Sequence, residues 1–183
     1  MPRLKDETKR ERRDQITEAA LRCFARNGFT GTSVADIIAE SGLSAGSIYS
    51  HFDSKTDLLQ HAIAQTLARS GGLVPQRLAS PADAIKALAS VVDLTPESAH
   101  ILLQLWAEGT RDDEARTLIT ANVHRIRDWF AQSLAEWATQ RGLLPQEAAD
   151  IALALMQGLI TRLALDPSAD LAQLIATIDK TLR

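Results

Sequence analysis

Residues 32–55 read TSVADIIAESGLSAGSIYSHFDSK, and they contain two short helical patterns on either side of a glycine. The apolar spacing before Gly42 predicts one helix, and the spacing from Ala45 to Phe52 predicts a second. Gly42 predicts a tight turn between them, because glycine readily adopts the left-handed conformation that ends a helix. Two short helices joined by such a turn form the helix-turn-helix pattern.

The second of these helices is predicted to expose small and hydroxyl-bearing side chains. Ile48 and Phe52 would anchor it to the core. Its outward face then holds Ala45, Gly46, Ser47, Tyr49, Ser50 and His51. Small side chains allow close approach to a DNA major groove, and tyrosine and histidine can hydrogen-bond phosphates at its edge. This face therefore indicates DNA binding.

The rest of the chain is also patterned for helices, and no segment shows the sustained alternation of a β-strand. We predict an all-α protein of about nine helices. Their predicted ranges are 9–27, 34–40, 45–51, 55–70, 81–93, 96–109, 111–141, 146–164 and 168–182. A domain boundary is predicted within or just after the fourth helix, before Gly71 and Gly72, so that helix 55–70 connects two domains.

The composition is that of a globular protein. The 183 residues are 45% hydrophobic and 23% charged, which excludes wholesale disorder. The single cysteine, Cys23, excludes an internal disulfide. No apolar run approaches the ~18 residues of a membrane span, and the N-terminus lacks an apolar signal-peptide core. We therefore predict a cytoplasmic protein that does not enter a membrane.

The net charge of −3 conceals a basic N-terminal arm. Residues 1–13 contain six Lys or Arg residues against three acidic residues. A basic arm suits a polyanion such as DNA, but a solvated terminus has the same composition. Charge alone leaves both interpretations open.

Two further patterns resemble those of an enzyme or a metal protein. Residues 42–46 match the G-x-S-x-G sequence of serine hydrolases, but that motif needs a strand before the serine, and a helix is predicted here. The four histidines, at 51, 61, 100 and 124, show no metal-ligand spacing. We predict no catalytic residue, no metal site and no cofactor. The alternative function is a helical ligand-binding or catalytic protein in which the DNA-like motif is incidental.

A pattern of residues between Arg13 and Leu59 carries a family resemblance. It consists of Ala19-Ala20-x-x-x-Phe24-x-x-x-Gly28-Phe29, Gly31-Thr32-Ser33-Val34-x-x-Ile37 and Gly42-Leu43-Ser44-x-Gly46-Ser47-Ile48-Tyr49-x-His51-Phe52-x-Ser54-Lys55-x-x-Leu58-Leu59. In these residues the chain resembles the TetR family of bacterial transcriptional repressors. The resemblance implies that residues 1–55 form the arm and a three-helix DNA-binding domain. It implies that residues 56–183 form an effector-binding and dimerisation domain.

The resemblance also implies roles for single residues on a double-stranded DNA operator. Phosphates would be held by Ser33 and Lys55, and the DNA backbone would be contacted by Tyr49 and His51. Base edges would be contacted by Ser44, Ala45, Gly46 and Ser47. Ser50 would tune sequence choice.

Aromatic residues, which are 4% of the chain, gather with a few polar side chains in the fifth to seventh helices. Such a group is suited to a cavity for an amphipathic or apolar small molecule, although an ordinary core has the same composition. The segment from Leu103 to Glu108 is also similar to a common sixth-helix sequence of the family. The residues predicted to contact the effector are Leu103, Trp106, Asn122, Ile126 and Trp129.

The helix predicted over 146–164 is apolar on more than one face, so one face needs a further partner. With the last helix it suggests a homodimer interface like that of the family, although burial within one subunit is the alternative. The predicted interface residues are Leu155, Met156, Gly158, Leu159, Ile160, Leu174, Ile175 and Ile178. The sequence thus predicts a ligand-responsive repressor that binds a palindromic operator as a dimer and is released by an inducer.

Overall fold

The computed structural model describes residues 2–68, 75–166 and 168–182, and within these ranges the regular structure is ten α-helices without a strand. The prediction of an all-α fold is confirmed. The helices are α1 (Pro2–Gly31), α2 (Val34–Ser41), α3 (Ala45–Tyr49), α4 (Lys55–Ala68), α5 (Pro81–Val91), α6 (Pro96–Gly109), α7 (Asp113–Ser133), α8 (Ala135–Gln140), α9 (Pro145–Leu165) and α10 (Leu171–Leu182).

The first helix is longer than predicted, because the basic arm is itself helical from Pro2. Near its end the backbone leaves the helical conformation at Gly28, where φ is 70°. The last helix begins at Leu171 instead of residue 168, since the Asp170 carboxylate accepts hydrogen bonds from the N–H groups of Ala172 and Gln173. The glycine pair at 71–72 lies outside the described residues.

The single helix predicted over 111–141 is in fact two helices, α7 and α8. The break lies at Leu134, whose backbone has φ −101° and ψ 6°. The carbonyl of Ser133 accepts a hydrogen bond from the N–H of Leu78 at 3.0 Å, in the segment that precedes α5. A carbonyl used in this way is diverted from the helical ladder, which explains the break.

One hydrophobic cluster lies at the N-terminal end of the molecule and joins α1 to α4 with parts of α6 and α7. Its buried members are Ile16, Ala19, Ala20, Cys23, Phe24, Ile37, Ile48, Phe52, Leu58, Leu59, Leu105 and Ala115. Since α4, α6 and α7 share this core, the molecule is continuous across residue 55. The predicted division at that residue stays a prediction.

A second cluster joins α5 to α10 and contains Trp129, Phe130 and Trp137. Within it α9 is long and apolar enough to cross a membrane by length and composition alone, a property that the sequence analysis assigned to no segment. One face of α9, including Ala148, Ala152 and Leu163, is buried against its neighbours α6 and α7. This burial is typical of a core helix.

Candidate functional site

The helix-turn-helix is built by short-range caps. The Ser33 hydroxyl accepts a hydrogen bond from the N–H of Asp36, and the Asp36 carboxylate accepts one from the N–H of Ser33, which forms a capping box at the start of α2. Gly42 ends α2 at φ 68°, in the left-handed region. Ser44 then caps α3 by accepting from the N–H of Ser47. These contacts fix the turn predicted from the sequence.

Two arginines of α1 hold α2 in place. Arg22 Nε and Arg26 Nη2 lie 2.7 and 2.5 Å from the two carboxylate oxygens of Glu40. Hydrogen bonds from both guanidinium groups lower the pKa of the Glu40 carboxyl. The pair therefore orients the helix-turn-helix relative to α1 without using any residue of its outward face.

The outward face of α3 is exposed as predicted at Ala45, Gly46, Tyr49 and Ser50, whereas the prediction is too simple for Ser47 and His51. Ser44, Ala45, Gly46 and Ser50 are exposed, and Tyr49 is exposed over 57% of its surface. Ser47 and His51 are half-buried. A Cβ atom added to Gly46 would meet no atom of the described chain within 4 Å. The fold itself does not require glycine there, so the bare backbone is available for close approach by another molecule.

The phosphate-binding role suggested for Lys55 must be compatible with two contacts inside the protein. Lys55 Nζ donates hydrogen bonds of 2.8 Å to the carbonyls of Phe29 and Thr32, and it lies 4.3 Å from the centre of the Phe29 ring. Two of the three donors of the ammonium group thus join the start of α4 to the end of α1. A phosphate would take the third.

A cluster of aromatic and basic side chains lies beside the end of α3. The Phe52 ring packs against His61 of α4, with ring centres 5.4 Å apart, and the Arg13 guanidinium lies 4.7 Å from the Phe52 ring centre. Burial lowers the pKa of His61, and the positive charge of Arg13 lowers it further. This cluster connects α1, α3 and α4.

Part of the basic arm lies near α3. Burial lowers the pKa of His51, and the charges of Lys9, Arg13 and Arg12 lower it further. Lys9 and Arg10 are exposed, while Arg12 and Arg13 are half-buried. The positive charges of Lys9, Arg12 and Arg13 therefore lie near His51, at the end of α3.

An apolar cavity of about 170 Å³ lies between α1, α4, α5, α6, α7 and α9. None of its described lining residues is charged, and the polar ones are Gln65, Ser98, Asn122 and Gln157. The remaining lining residues are Leu21, Leu88, Val92, Ile101, Leu102, Trp106, Ile119, Val123, Ile126, Leu153, Met156 and Ile160. Its mostly apolar lining with a few polar groups is typical of a small-molecule site, and its volume would admit a molecule of about the size of benzene.

The structure brings three of the five predicted effector residues to this cavity, namely Trp106, Asn122 and Ile126. Leu103 does not line it, because Leu102 and Trp106 lie one helical turn apart on the inner face of α6 and Leu103 points about 100° away from Leu102. Trp129 does not line it either, since its ring packs in the second core, 5.2 Å from that of Phe130. Contact of the three cavity residues with a ligand stays a prediction.

Two residues that the sequence analysis missed link this cavity to α1. Leu21 of α1 lines the cavity directly. Gln65 of α4 also lines it, and its Nε2 donates a hydrogen bond of 2.7 Å to Asp14 Oδ1 of α1. The local sequence around Gln65 does not indicate that this side chain lines a cavity and also bonds to another helix.

The predicted dimer residues divide into three groups. Gly158 is exposed and Leu155 is half-buried on α9, whereas Met156, Leu159 and Ile160 are buried inside the subunit. Met156 and Ile160 line the cavity, so these three are corrected to intramolecular positions. The half-buried residues Leu174, Ile175 and Ile178 pack against their own core through α5 and α9.

The exposed apolar residues of α9 are instead Ile151, Ala154, Gly158 and Leu165, and the polar residues Gln157 and Arg162, one residue before and one helical turn after Gly158, are exposed as well. Leu165 is exposed over 69% of its surface and Ile151 over 38%. As at Gly46, a Cβ atom added to Gly158 would meet no described atom within 4 Å. This is an apolar strip with a bare centre, which would admit a second helix at short distance.

The described residues contain no group of three His, Cys, Asp or Glu side chains that could hold a metal ion. Cys23 is buried, and burial raises the pKa of its thiol. A raised thiol pKa lowers the fraction of reactive thiolate. In the G-x-S-x-G segment Ser44 follows a helix and caps another, which is not the strand-to-helix turn of a hydrolase.

Comparisons with known proteins agree with this geometry. A family model described as bacterial regulatory proteins, tetR family, matches residues 16–62, and one described as the C-terminal part of BetI-type transcriptional repressors matches residues 81–183. The regulator BetI of Agrobacterium fabrum is 30% identical over 161 residues, which are 82% of this chain and 76% of that protein. The regulator UidR of Escherichia coli K12 is 28% identical over 166 residues, or 87% and 81% of the two chains.

Among solved structures, a transcriptional regulator from Saccharomonospora viridis in complex with choline is similar in fold. Its TM-score is 0.75 at 24% identity, and the match covers 93% of this chain and 94% of that one.

Proposed function

This chain belongs to the TetR family of ligand-responsive transcriptional repressors, and we propose that it binds a palindromic operator as a homodimer and leaves it when a small molecule fills the cavity. The observation that carries the proposal is the outward face of α3, where Gly46 leaves the backbone bare beside exposed Tyr49. A helix of this kind fits the major groove, where base edges are read. The same proposal includes that the protein acts on DNA without catalysing a reaction and that it does so in the cytoplasm.

The proposed DNA contacts divide by chemistry. Small residues at the start of α3 lie against base edges, and Ser50 tunes sequence choice. The flanking side chains hold the phosphate backbone. The residues proposed to contact bases are Ser44, Ala45, Gly46 and Ser47. The residues proposed to contact the phosphate backbone are Ser33, Tyr49, His51 and Lys55. The basic residues of α1 add sequence-independent attraction, because each neutralised phosphate releases counterions.

This surface offers few side chains that can recognise single bases directly. Its small and hydroxyl side chains do not offer the two-pronged contacts by which Arg, Asn or Gln recognise single bases. We therefore expect the local shape and deformability of the operator to supply part of the specificity.

The proposed dimer joins the exposed faces of α9 from two subunits. Ile151, Ala154 and Leu165 supply apolar area, and Gly158 allows the two helices to approach closely. The outward face of α10, which includes Ala172 and Ala176, extends this surface. A two-fold dimer presents two α3 helices, and half-sites about 34–36 Å apart would place them in successive major grooves.

The proposed effector site is the apolar cavity. An effector acts only through its different affinity for the two states of the protein, so occupancy must favour a geometry in which α4 moves the two α3 helices out of register. Choline, which the Saccharomonospora viridis regulator binds, is a permanent cation, and such cations are held by several aromatic faces. Among the described lining residues of this cavity Trp106 is the single aromatic one, which disfavours choline for this chain.

The test is selection of bound sequences from a pool of random DNA duplexes by the full-length protein. We expect a palindromic or nearly palindromic sequence, and sedimentation of the selected complex should give two chains per duplex. Selection that returns no symmetric sequence, or a complex with one chain per duplex, would contradict the proposal.

A further inference from the structure

The cavity reaches α1 directly, and this gives it a route to the DNA-binding end. Leu21 of α1 forms part of its wall, and so does Gln65 of α4. Asp14, Gln15 and the basic arm lie on the same helix α1, which packs against α2 of the helix-turn-helix. A molecule in the cavity therefore touches two of the helices that hold α3 in place.

Among the described lining residues, Gln65 has a side-chain hydrogen bond to the DNA-binding end. Its Nε2 donates to Asp14 Oδ1 at 2.7 Å, and both side chains are half-buried. A hydrogen bond to a charged acceptor is stronger than a neutral one, and partial burial strengthens it further. The bond thus ties α4 to α1 at the edge of the cavity.

The lining also restricts the chemistry of the ligand. An ion would lose its hydration against a wall in which no described residue is charged, and that loss is unfavourable unless a counter-charge replaces it. A volume of about 170 Å³ is close to that of the apolar cavity of about 150 Å³ that holds benzene in another protein. The ligand is therefore neutral and of roughly that size.

We propose that the cavity takes an uncharged, mostly apolar molecule about as large as a substituted benzene ring, whose oxygen acceptor draws the Gln65 side-chain amide into the cavity and away from Asp14. Loss of the Gln65–Asp14 bond then removes one of the contacts that hold α1 against α4, and this lowers operator affinity. This inference rests on the proposed function, in that the cavity is taken to be the effector site. It adds the ligand class and the contact through which the ligand acts.

Three probes separate the parts of the proposal. Benzyl alcohol is neutral, apolar and carries an oxygen acceptor; toluene has the same ring without an acceptor; tetramethylammonium is a compact cation. Calorimetry on the full-length protein should show that benzyl alcohol and toluene bind and that tetramethylammonium does not. Binding of tetramethylammonium in preference to the two aromatic probes, or no binding of benzyl alcohol at millimolar concentration, would overturn the ligand class.

The coupling is measured as operator affinity with and without saturating probe. Benzyl alcohol should weaken operator binding about tenfold, which lies within the usual range of coupling between two sites, whereas toluene should weaken it by less than about twofold. Equal release by the two probes would overturn the competition for Gln65.

Variants test the bond itself. Gln65→Met and Asp14→Ala remove the bond permanently, so each should bind operator more weakly than the wild-type protein in the absence of ligand and reduce the benzyl alcohol effect to less than about twofold. The double variant should lose nothing more, because both changes break one interaction. The matched control is Gln60→Met: Gln60 Nε2 donates to Glu114 Oε2 at 2.7 Å, between α4 and α7 and away from the cavity lining. This control should keep the tenfold effect.

The outcomes distinguish this inference from the proposed function. If Gln65→Met keeps the wild-type response while operator binding is intact, the bond is not the coupling contact and the repressor function stands. If the wild-type protein selects no operator, the repressor function fails first, and the calorimetry still decides the ligand class.

Discussion

Gly46 of α3 and Gly158 of α9 have the same local geometry and different surroundings. Each lies on an exposed helix face, and a Cβ atom at either would meet no described atom within 4 Å. Around Gly46 the exposed side chains are hydroxyl-bearing, as in Ser50, and the basic arm is near. Along the face that holds Gly158 they include the apolar Ile151 and Leu165, together with Arg162.

The difference shows what a bare helix face can recognise. A polar, positively charged setting attracts a polyanion and gains little from apolar contact, so the opening at Gly46 suits DNA. An apolar setting gains by excluding water, so the opening at Gly158 suits another apolar helix. Since glycine weakens a helix by roughly 0.5–1 kcal/mol relative to alanine, both positions carry a cost that a binding partner would offset.

The largest expected effect is that of Gly158→Leu on dimerisation. Overpacking costs about 1–3 kcal/mol at one site, and a two-fold interface contains the site twice, so the change should total about 2–6 kcal/mol. We expect sedimentation equilibrium to show monomers at concentrations where the wild-type protein is dimeric. Helix content should not fall, because leucine is a better helix former than glycine. An intact dimer would show that α9 does not form the interface.

The second largest expected effect is that of Gly46→Leu on operator affinity, which should fall about 10–100-fold. This corresponds to the roughly 1–3 kcal/mol of binding free energy that a lost base contact costs. The leucine side chain would occupy the space that the DNA surface needs. The midpoint of urea unfolding should stay the same or rise. The two leucine variants are controls for each other, since Gly46→Leu should remain dimeric. Unchanged operator affinity would remove α3 from the DNA interface.

Lys55→Ala should affect both stability and DNA binding. Loss of the bonds from Lys55 to the carbonyls of Phe29 and Thr32 should lower the free energy of unfolding by about 1–2 kcal/mol. Loss of one phosphate contact should reduce the salt slope of binding by about one unit. Lys9→Ala is the matched control, because Lys9 is exposed and should alter the salt slope alone. A normal salt slope in Lys55→Ala would leave Lys55 with a structural role only.

The smallest expected effect is the pH dependence of the DNA-binding end. Burial lowers the pKa values of His51 and His61 in the folded state below about 6.5, so folding favours their neutral forms. Their contribution to stability is full above that pH and is lost as pH falls below it. Around His61, Arg13 lowers the pKa while Asp14 and Asp57 raise it.

Urea unfolding between about pH 7.5 and pH 5.5 measures this effect. His61→Gln should make the midpoint fall less steeply with decreasing pH than in the wild-type protein. A wild-type slope in the variant would assign the effect to other groups.

Local interactions explain why the helix-turn-helix was predictable. Ser33 with Asp36, Gly42 at the end of α2, and Ser44 with Ser47 are all contacts within a few residues along the chain. Such contacts depend on residue type and spacing, both of which are visible in the sequence. The break in α7 at Leu134 was not predictable, because it depends on Leu78, which is distant along the chain.

The sequence by itself therefore determined the all-α class, the starts of several helices and the outward face of α3, since short-range backbone and side-chain chemistry sets them. Only the tertiary structure decided that Leu102 and not Leu103 lines the cavity, that Met156 and Ile160 point inward, and that Gln65 meets Asp14. One step along a helix turns a side chain by about 100°, so its neighbours depend on how helices cross, and several crossing angles are compatible with the same apolar pattern.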